Sequence, residues 1–204
     1  MHKKNFHEEL RAVQFWSAET EQVLKEKGLA LSDCALQNRE EIVKLCEWIE
    51  ANNISSYLEI GCWTGRLTAA LHRIFHFRPL AACDLGVAKE FGFEIALPKE
   101  AVFFEGNSHS PIFENWRKAL GHIDLTFIDT DKTYTAIQKD FANAIAHPHR
   151  FIAIQGIAGS PRTGADVKRF WDELSGNKIE ILEPHPEIGS PTPTLGIGIW
   201  SSAS

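Results

Sequence analysis

Two stretches of this chain put polar side chains where an apolar run ends, and both could do chemistry. In the first, Tyr57-Leu58-Glu59-Ile60 runs into Gly61-Cys62-Trp63-Thr64-Gly65. Glycine at such a bend lets a ligand approach the backbone, where a side chain would block it or strain the turn. Strand, glycine turn and helix together form a unit that holds nucleotide-like ligands at the carboxyl end of a parallel sheet. Asp84 ends the next apolar run, Leu80-Ala81-Ala82-Cys83, at about the distance from the glycine turn where such a fold delivers a carboxylate to a ribose. A carboxylate there can accept from both vicinal hydroxyls; a local turn before Gly86 is its competing use. In the second stretch, Ile123 to Ile128 runs into Asp129-Thr130-Asp131-Lys132, two carboxylates and an amine at a strand end. Helix capping and loop solvation are the local alternatives for these. The glycine spacing is Gly-x-x-x-Gly, not the Gly-x-Gly-x-x-Gly of a dinucleotide fold, and no Gly-Lys-Ser/Thr follows to make a P-loop.

The elements that must position these residues are legible in outline. Residues 6–28 carry Leu10, Val13, Trp16 and Leu24 among polar residues and stop at Gly28, which predicts a helix. Residues 38–52, with Ile42, Leu45, Cys46 and Ile49 at helical spacing, predict a second. A cap on the domain is the default reading of both, with a ligand cover or a homodimer contact as alternatives. Strands are expected at 57–60, 80–84, 101–105, 123–128, 151–155, 178–182 and 195–200. Ser110-Pro111 opens a helix as N-cap and first-turn residue. Thr163-Gly164-Ala165-Asp166 has the pattern of a capping box. Residues 87–99 read as a short helix or loop, His147-Pro148-His149 as a solvated loop, and 184–194 as a Pro-rich loop. Glycines 196 and 198 imply that neighbours press on the last strand.

Composition narrows the function classes. The chain has 204 residues, 44% hydrophobic and 24% charged, which suits one domain with a single substantial core. A formal charge of -6 argues against a nucleic-acid surface. No window is long and apolar enough for a membrane span. The start, Met1 to Glu9, turns acidic at once, so a cytoplasmic protein without a signal peptide is expected. The four cysteines, Cys34, Cys46, Cys62 and Cys83, form no Cys-x-x-Cys pair and read as small core residues.

Glu59, Gly61 and Gly65 fill the acidic-x-Gly-x-x-x-Gly of motif I in the class I S-adenosylmethionine (SAM) methyltransferases, which the chain resembles over roughly residues 55–200. Phe127-Ile128-Asp129-x-Asp131-Lys132-x-Tyr134 resembles the Phe-Ile-Asp-x-Asp stretch of small-molecule O-methyltransferases. Within these, residues 165–174 are similar to a segment of the macrolide O-methyltransferase relatives, and Asp129 to Lys132 to the caffeoyl-CoA and catechol type. The resemblance implies an α/β fold: a Rossmann-like, seven-stranded, mostly parallel sheet with helices on both faces and the last strand antiparallel. It implies N-terminal helices over 1–54 and a SAM-binding domain over 55–204. It also implies SAM as cofactor, with methyl transfer to the hydroxyl of a small-molecule acceptor. Carried over, the cofactor residues are Glu59, Gly61, Cys62, Trp63, Gly65, Asp84, Leu85, Gly106, Asn107, Ser108 and Asp129. Asp129 and Lys132 become the catalytic pair, Lys132 as the candidate base. The catechol type also uses a divalent metal. Where its ligands are expected after strand five, this chain has Gln155-Gly156, so no metal is expected. A SAM-binding protein without catalysis stays open for the same reason. An NAD-dependent oxidoreductase also stays open, since NAD carries an adenosine ribose too, although no Tyr-x-x-x-Lys pair is present.

Overall fold

Seven of the apolar runs pair into one sheet. The computed structural model describes residues 4–29, 31–161 and 163–202. Residues 1–3, on which the expected absence of a leader partly rests, and residues 30, 162, 203 and 204 lie outside the described residues. In chain order the elements are α1 (Phe6–Glu9), α2 (Ala18–Lys27), α3 (Arg39–Ala51), β1 (Tyr57–Ile60), α4 (Arg66–Phe75), β2 (Leu80–Asp84), α5 (Val87–Glu90) and β3 (Val102–Glu105). They continue with α6 (Pro111–Ala119), β4 (Ile123–Ile128), α7 (Tyr134–Ile145), β5 (His149–Gln155), α8 (Asp166–Glu173), β6 (Asn177–Ile181) and β7 (Ile197–Ser201).

The strand order is β3-β2-β1-β4-β5-β7-β6. All pairings from β3 across to β5 are parallel, and β7 runs antiparallel to both of its neighbours. β1 pairs with β2 on one side and β4 on the other, so the chain winds away from it in both directions. That reversal opens a crevice at the carboxyl ends of β1 and β4, where ligands of such sheets bind. Gly61 and Asp129 are the residues that follow those two ends.

Two apolar clusters cover the two faces. One joins Leu10, Phe15, Ile42 and Leu45 of the N-terminal segment to Tyr57, Leu125, Phe127 and Ile199 of the sheet. The other packs Phe113, Ile137, Phe141 and Trp171 against Leu58, Ile60, Ile128 and Ile154. On β7, a Cβ at Gly198 would lie 2.8 Å from the Trp171 ring, which explains a glycine inside a buried strand. At the opposite ends of the strands, Asp124 accepts from the Ser55 and Ser56 amides and from the Ser55 hydroxyl, pinning the entry of β1 to β4. These bonds hold its carboxyl well below the usual carboxylate range against the burial that opposes them.

Three local expectations are corrected. The predicted helix over 6–28 is two helices. Ser17 restarts the chain by a capping box with Thr20, and Phe15 is extended in a bridge to Ala35. The box expected at Thr163 does not form. α8 begins at Asp166 without a side-chain cap, and the Asp166 carboxylate instead accepts the Tyr134 amide at 3.1 Å. His149 belongs to β5 rather than to a solvated loop, its ring stacked on Trp200. All four cysteines are buried and free. Burial pushes the Cys34 thiol up to about 11 and the Cys46 and Cys83 thiols up to about 12, so they behave as packing residues.

Candidate active site

The glycine turn after β1 is shaped by three residues of positive φ: Gly61 at 86°, Trp63 at 53° and Gly65 at 77°. Only Trp63 among them carries a side chain, and its left-handed backbone is held from three directions. Its amide donates to Asp84 Oδ2 at 2.9 Å. Its indole donates to the Ser32 carbonyl at 2.9 Å. Phe91 and Phe93 meet its ring edge-on. A strained backbone at a cleft is a common mark of a functional turn.

Asp84 closes β2 beside this turn. Oδ2 takes the Trp63 amide and Oδ1 the Gly86 amide at 2.7 Å. The two bonds fix the carboxylate plane and leave each oxygen a further lone pair for a ligand.

Two cavities meet along this line. The first, about 350 Å³, is lined by Asp84, Leu85, Gly106, Asn107, Ser108 and His109 among others. The second, about 330 Å³, is walled by Trp16, Leu36, Trp63 and Leu195 and floored by Gln37, Lys132, Gln155 and Thr163. Gly61, Asp84, Asp129 and Thr130 line both. The cleft is therefore continuous: a nucleoside-sized space, then the glycine turn, then a half-apolar chamber.

Asp140 organises the first cavity. It sits on the buried stripe of α7 and is 1% exposed. It accepts the Ser108 and Thr130 hydroxyls, each at 2.6 Å, with the His109 ring at 3.0 Å. An acid between Ile137 and Phe141 on an apolar helical face is a readable signal that the sequence reading missed. His109 and Thr130 lie beside residues it had named.

The second cavity is organised by Asp129. Oδ2 accepts the Gln37 amide nitrogen at 2.7 Å, and Oδ1 accepts from Lys132, whose ammonium also donates to the Gln155 carbonyl at 3.2 Å. Gln37 comes from the loop before α3 and gave no sequence signal. Gln37 Oε1 and Thr163 Oγ1 are buried without a hydrogen-bond partner, while the Gln155 side chain turns to the Glu41 carboxyl.

Of the other residues named from sequence, Gly65 lines neither cavity; a Cβ there would meet Leu97 at 2.8 Å. Cys62 is buried behind the turn. Glu59 also lies outside both cavities, 1% exposed, accepting from Tyr57 at 3.2 Å and from Thr68. Tyr134 packs on Phe170 and donates to Glu173 at 2.5 Å, away from the cleft.

A divalent metal does not fit this donor set. Both oxygens of Asp129 are engaged, and Asp131 is exposed with one oxygen on the Thr133 amide. The positions after β5 offer only an amide and a glycine. No group of three His, Cys, Asp or Glu side chains with metal-holding geometry occurs among the described residues. A hard cation takes six or more oxygen ligands, and even one that keeps several waters is anchored by one or two free carboxylates.

Two buried acids near the site predict a pH effect on stability. Burial, with the charges of Asp129 and Asp84, pushes the Glu59 carboxyl up to about 8 against the Thr68 and Tyr57 bonds. Burial pushes Glu41, 0% exposed and bonded to the Gly196 amide at 2.9 Å, up to about 7. Between the unfolded value of 4.5 and these values the folded chain holds protons that the unfolded chain releases. Stability therefore falls as pH rises through that window and levels above about 8. At about 1.4 kcal/mol per unit for each acid, the two together amount to about 5 kcal/mol, and the melting temperature should drop roughly 10–20 °C from pH 5.5 to 8.5. Glu59→Gln should flatten the upper part of that fall in a thermal-melt series. A flat wild-type profile would refute the prediction.

No family model and no curated protein matches this sequence. Solved structures do match the fold. An O-methyltransferase of Bacillus cereus in complex with S-adenosylhomocysteine superposes with a TM-score of 0.59 at 16% identity, over 99% of this chain and 93% of that one. The O-methyltransferase TomG of Streptomyces achromogenes, involved in tomaymycin synthesis and solved with SAM, gives 0.59 at 17% identity, over 98% and 92%. The chain thus shares the Rossmann-like fold of these two O-methyltransferases, with the seven-stranded sheet and antiparallel β7 that the resemblance implies.

Proposed function

We propose that this protein transfers the methyl group of SAM to a hydroxyl oxygen of a small molecule. The observation that carries the reading is the continuous cleft. One end offers the Asp84 carboxylate, and the other an apolar chamber with Lys132 at its floor. In this reading Asp84 holds the ribose, while Leu85 and the 106–108 loop with His109 surround the adenine. Gly61 lets the methionine part pass close to the backbone at the point where both cavities meet. Trp16, Leu36, Trp63 and Leu195 hold the acceptor. Glu59 acts through the turn rather than by touching the cofactor.

SAM is an activated donor, so catalysis rests on holding the acceptor oxygen in line with the methyl carbon and keeping water out. A chamber of about 330 Å³ suits a small acceptor. The formal charge of -6 disfavours a nucleic-acid substrate. No helix among the described residues is long and apolar enough to cross a membrane.

The test is a thermal-shift titration with S-adenosylhomocysteine and NAD in parallel. Ligand at 100 times its dissociation constant stabilises by about 2.7 kcal/mol, which for a domain of this size raises the melting temperature roughly 5–10 °C. A shift with S-adenosylhomocysteine and none with NAD is expected. A shift with NAD alone would move the protein to the oxidoreductases.

A further inference from the structure

The poor fit of a metal leaves a chemical question: what carries positive charge to the reacting oxygen. Lys132 is the only cationic side chain among the described residues lining the second cavity. Its ammonium is held by two oxygens from different strand ends, the Asp129 carboxylate after β4 and the Gln155 carbonyl at the end of β5. An ammonium has three N–H groups, so one remains for a ligand. As a base, Lys132 would have to present a neutral lone pair to the acceptor, leaving the Asp129 carboxylate beside an uncharged amine with no cation to balance it. The same geometry suits a fixed cation.

We propose that Lys132 holds the acceptor oxygen as an anion, so that the protein methylates acidic hydroxyls, phenols or enols, without a metal and without Lys132 as base. The inference rests on the methyltransferase reading above. The O–H proton leaves to bulk water. The oxyanion then attacks the methyl carbon, a C–O bond forms as the S–C bond breaks, and its electron pair returns to sulfur, which becomes a neutral thioether. Charge-assisted hydrogen bonds to an oxyanion are about twice as strong as neutral ones, so the ammonium favours the reactive form. The other charged groups facing this space are Asp84 and Asp129, which oppose an anion. Asp84 is held by two amides, and Asp129 by Gln37 and by Lys132 itself.

The probe is 4-nitrophenol, whose phenolate is yellow and whose phenol is not. It is titrated from pH 5 to 9 into protein saturated with S-adenosylhomocysteine, in EDTA. The cofactor product has a neutral sulfur, so any shift in ionisation comes from the protein. In the wild type the bound probe should ionise about one pH unit lower than in water, tenfold in its ionisation constant. Lys132→Arg should keep a downward shift. Lys132→Gln should reverse its sign, because Asp84 and Asp129 remain, and its affinity for S-adenosylhomocysteine, measured in parallel, shows whether the cleft is intact. An unshifted probe in the wild type, a shift that appears only on adding magnesium, or the same shift in Lys132→Gln would each overturn the proposal. If the probe does not bind while S-adenosylhomocysteine does, the acceptor class is wrong. If S-adenosylhomocysteine itself fails to bind, the methyltransferase reading has failed first.

Discussion

Gly61→Ala should reduce binding of S-adenosylhomocysteine by more than 100-fold and lower the melting temperature. The site gives an added methyl no room. An ideal Cβ would lie 2.1 Å from the Asp129 carbonyl oxygen and 2.7 Å from its carbon. That carbonyl cannot swing away cheaply, because the Asp129 amide donates to the Ile60 carbonyl at 2.9 Å and continues the β1–β4 pairing. The backbone φ of 86° adds strain for any L side chain, roughly 1–2 kcal/mol. Relief must come by driving β1 and β4 apart at their carboxyl ends. That displaces Asp129, and with it the bonds to Gln37 and Lys132. A destabilisation of about 2–4 kcal/mol is the scale for such a clash in a core. Gly28→Ala is the control. Its φ is also positive, at 63°, but nothing lies within 4 Å of its Cβ. It should cost only the backbone strain and leave binding unchanged. Equal affinities for Gly61→Ala and wild type, measured by calorimetry, would remove the glycine turn from the cofactor site.

How far the sequence reached depends on the range of the interaction. Gly61, Asp84 and Asp129 were legible because each is set by its own strand end, a local pattern that the parallel sheet brings to one line. Ser110 caps α6 as expected, its hydroxyl accepting the Phe113 amide at 3.1 Å, since capping too is local. Gln37 was not legible. It reaches Asp129 from a loop 92 positions away, and nothing near it marks that use. Glu59 shows the converse. Its motif position names it as a cofactor residue, while its side chain turns into the core to Tyr57 and Thr68. Alternation along β1 puts Glu59 on the same face as Tyr57, towards α4, and a four-residue strand gives no pattern long enough to say which face that is. The capping box at Thr163 failed for a related reason. Asp166 found a tertiary partner in the Tyr134 amide, which no local window contains.

Asp84 is where cofactor binding should be most sensitive to a single polar atom. Asp84→Asn keeps the shape of the side chain but replaces one oxygen with an NH2 group that cannot accept. Whichever way the amide turns, either the Trp63 or the Gly86 amide then faces a donor, although both now have acceptors at 2.9 and 2.7 Å. The loss is twofold: one hydroxyl of the ribose loses its acceptor, and the left-handed turn at Trp63 loses part of what holds it. Hydrogen bonds to a charged group are worth about 1.5–3 kcal/mol, so a loss near 100-fold in affinity for S-adenosylhomocysteine is expected. A purely structural role would give a weakened site too, so the discriminating measurement is a double-mutant cycle with the 2′-deoxy analogue of S-adenosylhomocysteine. Removing the 2′-hydroxyl should cost the wild type about tenfold and Asp84→Asn almost nothing, because the partner is already gone. Equal costs in both proteins would show that Asp84 shapes the turn without touching the ribose. The adenosine would then have to be anchored from the other wall of the cleft, where Asp140 fixes Ser108, His109 and Thr130.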